Sequence, residues 1–405
     1  MNNTSSNGRH VVVAGGGFAG LAAAYTLRER LGPRDRVTVV EPSGRFVFAL
    51  SLVWAVLGRS IYRGTFALDP ALTAKGIDYL RSAVHEVRAE EKLIRTAGGE
   101  MTYDRLIIAT GGRPDTSSIP GLAGEFRAAH WIVGEESAVE ARESLRLLFD
   151  NPGPVVVGAA PGATYFSGAY ELVLALDSVL RERGLRDRIP LTFITGQPYL
   201  GDLGFNENAA RTKLETLFAA RNITYRTGVE IERVESDDVI LGSGERLPAS
   251  VSIIMPPFTG AADIWKSPHL TDEHGFVPIN ERYQHVRFPD IYAAGVASVF
   301  DRPIPPLTAQ RAPHTGYLSV RMGQAAAQNA AASLGFGPPA RHTLPYVFDV
   351  RLLDGGSIGL FLASWGTNKP HNLAIELPGQ ATHYLKALQE RYLVWRLRTG
   401  RMDLP

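Results

Sequence analysis

Short unbroken apolar runs alternate with longer stretches of helical periodicity along this chain. Apolar runs at 11–14, 106–109 and 155–157, with 37–40 and 191–194 interrupted only by Thr38 and Thr192, are each followed by small residues or a turn. Strands that read as continuously apolar are those buried on both faces, so the pattern predicts an α/β fold with a doubly wound parallel sheet. Between these runs, 45–64 is rich in aromatic and aliphatic residues, and 77–87 reads as a strand turning into Leu93-Ile94-Arg95. No run of eighteen apolar residues occurs, so no membrane-spanning helix is expected.

The first run leads into Gly15-Gly16-Gly17-Phe18-Ala19-Gly20, an Ala-rich helix, and a second strand closed by Glu41. A strand that turns abruptly into a helix needs Gly15 for the tight turn. Gly17 lets a pyrophosphate approach the backbone, and Gly20 lets the helix lie close to the strand. Phe18 and Ala19 open that helix, whose N-terminus presents free N–H groups to phosphate, while Glu41 is placed to accept from a ribose hydroxyl. Thr110 and Gly111 end another buried strand where such sheets bind ligands. A second copy begins at Val155 and has Gly158, but Ala160 and Ala163 replace its later glycines, and its second strand ends in Thr195-Gly196 without an acid. A methyl group at 160 obstructs a pyrophosphate, so this copy is expected to have weak NAD(P)H binding or none.

With 405 residues the chain suits two or three domains. Its net charge of +1 and lack of a basic tract argue against nucleic acid as a partner. Residues 1–9 are polar without an apolar segment, which leaves a cytoplasmic location as the expectation. There is no cysteine, which excludes disulfides, thiolate zinc sites and thiol nucleophiles, and no metal site is expected.

Two such units with a late return, Phe288-Pro289-Asp290-Ile291-Tyr292-Ala293-Ala294-Gly295-Val296, resemble the glutathione-reductase-like flavoproteins with two Rossmann-like dinucleotide-binding domains. More narrowly, LTFITGQPYLGDLG from Leu191, GAAPGATYFSGAYEL from Gly158, the run from Gly275 to Ala297 and RAPHTGYLSVRMGQAAAQN from Arg311 resemble the sulfide:quinone oxidoreductase and flavocytochrome c sulfide dehydrogenase family. The resemblance implies a non-covalent FAD held by residues 1–113 and 286–335, a second Rossmann-like domain over 114–285, and a C-terminal extension over 336–405. It also implies a flavin between the two domains and a quinone pocket near the C-terminal region. Gly295 and Val296 fall where the family closes over the ribityl chain, although most members have an acid at the position of Val296. His314 and Thr315 fall in a segment that usually reads Pro-Lys-Thr-Gly-Tyr, whose cation lies against the flavin. Arg45 and Val84 complete the residues expected around the cofactor.

The resemblance fails at the chemistry. Family cysteines fall at Tyr165 and Ala297, a family histidine falls at Asp202, and Glu171 is retained. Without a thiolate no persulfide forms, so sulfide turnover by that route is not expected. Tyr165, Glu171 and Asp202, with His314, are then expected to face a small donor and take its proton. The alternative is that Tyr165 fills the cysteine's space and both acids make ordinary contacts. A type II NAD(P)H dehydrogenase-like enzyme and a non-catalytic flavin-binding protein remain as other function classes. From Tyr384 to Arg401 aromatic and basic residues mix at helical spacing, which suits a helix lying in a membrane surface, a core-packing helix or a homo-oligomer contact.

Overall fold

The computed structural model describes residues 8–123, 128–163, 165–202, 209–260, 267–304, 315–345, 347–366 and 371–401. The early apolar runs form a five-stranded parallel sheet in the order Ile291–Ala293, Arg105–Ile108, His10–Ala14, Arg36–Val40, Asp78–Leu80. Val11, Val12 and Val13 are wholly buried between helical layers. Burying each such side chain stabilises the fold by roughly 1.5–3 kcal/mol, and both faces of the strand must be apolar to gain it. The strand Ile291–Ala293 pairs in parallel with Arg105–Ile108, so the late return joins the first sheet's edge.

A second parallel sheet has the order Thr224–Arg226, Leu191–Thr195, Val155–Ala159, Val251–Met255. Its connection differs from that of the first. In the first unit three residues, 15–17, separate the strand from the helix Phe18–Arg30, whereas six, 160–165, separate Val155–Ala159 from the helix Phe166–Glu182. Gly158 lies inside the strand, where an added Cβ would sit 2.4 Å from Ile194, so it serves sheet packing and not the turn.

The expected strand over 77–87 divides. Asp78–Leu80 belongs to the first sheet, and Val84–Arg88 opens an antiparallel meander with Leu93–Thr96 and Gly99–Thr102. The aromatic-rich segment forms an antiparallel pair, Arg45–Val47 with Thr65–Ala67, around the short helix Leu52–Val56. The C-terminal region contributes a three-stranded antiparallel sheet, Val347–Asp354, Ile358–Trp365 and His371–Pro378, followed by the helix Gly379–Thr399. That helix packs across this sheet and also reaches Phe18–Arg30, tying the last element to the first. No helix among the described residues is long and apolar enough to cross a membrane.

The helix Gly316–Ser333 lies along Phe18–Arg30 with its backbone nearly touching. A Cβ at Gly323 would meet the Ala19 carbonyl oxygen at 2.2 Å. Gly323→Val should therefore force the two helices apart and lower stability by about 1–3 kcal/mol or more. The expected result is a lower urea midpoint together with faster loss of bound FAD on dilution; an unchanged midpoint would contradict the packing argument.

Candidate functional site

The glycine turn has the geometry its spacing implies. Gly15 has φ +112°, and a Cβ there would lie 2.3 Å from the Ala109 carbonyl oxygen. Its N–H donates to Val40 O at 2.9 Å, which closes the turn. A Cβ at Gly20 would be 2.0 Å from the Gly15 oxygen, whereas one at Gly17 would meet nothing within 4 Å. Gly17 thus faces open space in front of a helix whose N-cap makes no side-chain hydrogen bond and whose first turn has no acid. Unsatisfied N–H groups facing open space are the donor set that a pyrophosphate needs.

Glu41 stands at the mouth of the same turn, its carboxylate accepting from Gly16 N–H at 3.1 Å and Ser43 N–H at 2.9 Å. Gly111 has φ +73° with no atom within 4 Å of an added Cβ, so together with Thr110 it leaves the strand end open. Gly295, φ +69°, would bring a Cβ to 3.0 Å from that of Ala19, and Val296 packs near Gly112. The glycines, Ala19, Glu41, Thr110, Gly295 and Val296 therefore come together and fit a dinucleotide. Phe18 meets Phe46 and Phe48 edge to face, with centroids 5.1 and 5.4 Å apart.

Other expected cofactor residues have local partners. Arg45 pairs with Glu135. Val84 is buried at the start of the meander. The Thr315 hydroxyl caps the helix Gly316–Ser333 by accepting from Leu318 N–H at 3.1 Å. His314 lies outside the described residues.

Beside Phe18 and Gly316 opens a cavity of about 340 Å³, to which Tyr165, Glu171, Arg351 and Lys386 contribute polar groups among mostly apolar walls. Tyr165 precedes the helix Phe166–Glu182, and its ring lies over Gly168, where a Cβ would come within 2.4 Å of it. The phenol donates to Ala49 O at 3.4 Å. Burial, with the Glu171 charge adding to it, holds this phenol well above its ordinary range, so it stays protonated. Glu171 pairs with Lys386 in a contact closed to solvent. Burial pushes its carboxyl up to about 7, while the Lys386 ammonium and the Asp354 backbone N–H pull it down.

Lys386 also lies 5.1 Å from the Trp54 ring, whose Nε1 donates to Asp354 Oδ2 at 2.9 Å. The same carboxylate holds His383 Nδ1 at 2.8 Å. One turn beyond Lys386, Glu390 accepts from Ser51 Oγ and Arg59, each at 2.5 Å.

One expectation needs correction. Asp202 does not join Tyr165 and Glu171; it lines a separate crevice with Pro161, Thr195 and Gly196, and its carbonyl accepts from Gln197 Nε2. The loop after Thr195 leaves Asp202 at the C-terminal ends of the sheet's two central strands, Val155–Ala159 and Leu191–Thr195. The terminal helix also differs from an ordinary amphipathic one. Thr382, Lys386 and Glu390 point inward and are buried, whereas Tyr384, Leu385, Leu388, Tyr392 and Trp395 are exposed by 44–69%. Arg391 and Arg398 are also exposed, whereas Leu397 is buried and Leu393 and Val394 pack on the core, so the inward side mixes polar and apolar groups while one apolar face looks outward. Lys386 and Arg351 were missed because nothing in a helical or strand repeat marks a cation as inward-facing; the retained Glu171, an acid within an apolar helix face, was the available signal.

The comparisons agree with this architecture. The sequence pattern of the pyridine nucleotide-disulphide oxidoreductase family matches residues 9–324. A sulfide-quinone reductase of Aquifex aeolicus is 31% identical over 97% of this chain and 92% of its own length. An NADH dehydrogenase-like protein of Mycobacterium tuberculosis is 29% identical over 70% of this chain and 72% of its own. The crystal structure of the Aquifex aeolicus sulfide:quinone oxidoreductase superposes with a TM-score of 0.86 at 29% identity, covering 97% of this chain and 92% of that one. The glycine cradle, the sheet order and these matches place the chain in the pyridine nucleotide-disulphide oxidoreductase family, as a cysteine-free member of its sulfide:quinone oxidoreductase branch and an FAD-dependent oxidoreductase.

Proposed function

We propose that this enzyme oxidises a small donor in the Tyr165–Glu171 cavity and delivers the electrons to a quinone-type acceptor or oxygen, without cysteine persulfide chemistry. The observation that carries the proposal is the buried Glu171 carboxyl, raised to about 7 beside a protonated phenol in an apolar cavity. FAD, held by the glycine turn, Glu41 and the Gly295 loop, supplies the two-electron redox couple. Loss of two electrons from an organic donor releases a proton, and Glu171 is the group in the cavity able to take it near neutral pH. Tyr165 donates a hydrogen bond to a donor oxygen and orients it. Lys386 holds the Glu171 carboxylate once it forms, and the apolar walls exclude water.

The chain's likeness to proteins named as sulfide-quinone reductases supports a quinone as acceptor, while the absence of cysteine argues against sulfide as donor by the persulfide route. NADH is a second reading, supported by the mycobacterial relative. Against it, Ala160 and Ala163 stand where the second unit's fingerprint would have its later glycines, and its second strand ends in Thr195-Gly196 without an acid. The outward apolar face of the terminal helix supports peripheral contact with a membrane, where a quinone dissolves.

An anaerobic screen of organic donors, sulfide, NADH and NADPH, followed by reoxidation with quinone or oxygen, tests the reading. Flavin reduction by an organic donor is expected, and rapid bleaching by NADH or sulfide would overturn it. With the true donor, Glu171→Gln should slow flavin reduction roughly hundredfold and Tyr165→Phe less. Because burial raises the Glu171 carboxyl, its proton-accepting form is populated only as pH rises through about 7, so the wild-type rate should climb there and the Gln variant should lose that limb. Liposome flotation should weaken at least severalfold in Leu388→Asp/Trp395→Asp, with activity toward a soluble acceptor retained; equal flotation would remove the membrane contact.

A further inference from the structure

A second hollow of the molecule gathers three arginines. It has a volume of about 630 Å³ and opens between the C-terminal end of the helix Phe18–Arg30, one flank of the helix Gly316–Ser333 and the loop 338–345. Arg30, Arg321, Arg341 and His342 line it with Gln324 and Gln328, and no carboxylate lines it among the described residues. Many arginines elsewhere are matched by acids, as Arg105 is by Asp290, Arg186 by Asp177 and Arg246 by Glu235. Like charges gathered without a counterion repel one another, so the fold must hold them in place.

It does so through the loop. Arg30 donates to Pro338 O at 2.7 Å, and Gly337, φ +75°, lets the guanidinium come close. Ala340 N–H donates to Asn329 Oδ1 at 2.9 Å, and the Tyr283 hydroxyl donates to Thr343 O at 2.5 Å. Asn329 in turn donates to Arg282 O at 2.8 Å. Three anchors within six residues fix the wall that carries Arg341 and His342. On the facing helix Arg321, Gln324 and Gln328 recur at i, i+3 and i+7, one face of one helix. Fork-shaped guanidinium groups match phosphate oxygens in pairs, and side-chain amides add donors around them. The volume exceeds that of a lone inorganic anion and falls within the range of small-molecule sites.

We propose that this hollow binds a phosphate-bearing anion of at least two negative charges, with Arg321 and Arg341 as its principal contacts. Two sources carry that chemistry, a soluble phosphate compound and an anionic lipid headgroup. The site is separate from the flavin cradle and the Tyr165 cavity, and stands whether or not the donor reading holds.

Isothermal titration of the FAD-loaded full chain with inorganic pyrophosphate at low ionic strength tests it. One saturable site is expected, weakened at least tenfold in Arg321→Ala/Arg341→Ala and unaffected by Arg211→Ala on a remote helix. If the alanine pair lowers FAD content or folding, Arg321→Lys/Arg341→Lys keeps the charge while removing the paired contacts, and should weaken binding by a smaller factor. In a parallel arm, sedimentation with vesicles of phosphatidylglycerol and phosphatidylcholine, compared with phosphatidylcholine alone, assigns the headgroup as the source if the double variant loses the anionic preference. Absence of binding in both arms, or binding equal in wild type and both double variants, would overturn the proposal.

Discussion

The contact between Glu171 and Lys386 joins the parts of this enzyme that have to meet. Glu171 comes from the first helix of the second sheet, and Lys386 from the last helix of the chain. Both are buried, so neither charge is tolerable alone; removing one partner of such a pair typically costs about 3–5 kcal/mol, because the other is left uncompensated. The surrounding groups limit that penalty further. The Asp354 N–H supports Glu171, and the Trp54 face lies near the ammonium. A chain section from 51–59, a strand from the C-terminal sheet and two helices thereby close one wall of the cavity. The same arrangement leaves the Glu171 carboxyl raised, which an ordinary surface ion pair would not do.

The flavin side depends on a different constraint, the closeness of backbones. Gly15, Gly20 and Gly323 each stand where a Cβ would fall within 2.3 Å of a carbonyl oxygen. They stack the strand end, the helix Phe18–Arg30 and the helix Gly316–Ser333 with no side chains between them. Gly17 differs in kind, since its missing side chain opens onto empty space. Three of these glycines make the cradle compact and one makes it accessible, and the helix dipole then acts at short range on whatever phosphate enters.

This difference explains what was legible in the sequence. The first sheet, the glycine turn and Glu41 follow from periodicity and spacing within some thirty residues, because local backbone geometry alone demands those residue types. The second unit was legible as architecture but not in detail: Gly158 matched a fingerprint position by spacing, yet sits one residue inside its strand and packs on Ile194. Asp202 was grouped with Tyr165 and Glu171 by alignment of motifs, and the loop carries it to another crevice. Lys386 and Arg351 reach the cavity from more than 150 residues beyond Tyr165, a separation that no local pattern encodes.

The terminal helix shows how a hydrophobic pattern fixes which residues share a face but not which way that face points. Its aromatic and aliphatic positions do share one face, as the spacing implied, but that face points outward. An amphipathic helix normally buries its apolar stripe because transfer of that surface from water is the main gain of packing. Here the inward side carries a polar stripe beside the buried Leu397, and Lys386, Glu390 and Thr382 are satisfied by Glu171, Arg59, Ser51 and the Pro378 carbonyl. The protein therefore holds the helix by this polar network together with Leu393, Val394 and Leu397, and leaves five large apolar side chains exposed, touched chiefly by near neighbours such as Arg396 on Tyr392 and Arg401 on Trp395. That exposed face is the surface the helix offers to an apolar environment, and Lys386 lies on the opposite side of the same helix. The outward apolar face and the buried Glu171–Lys386 pair are thus joined by a single helix.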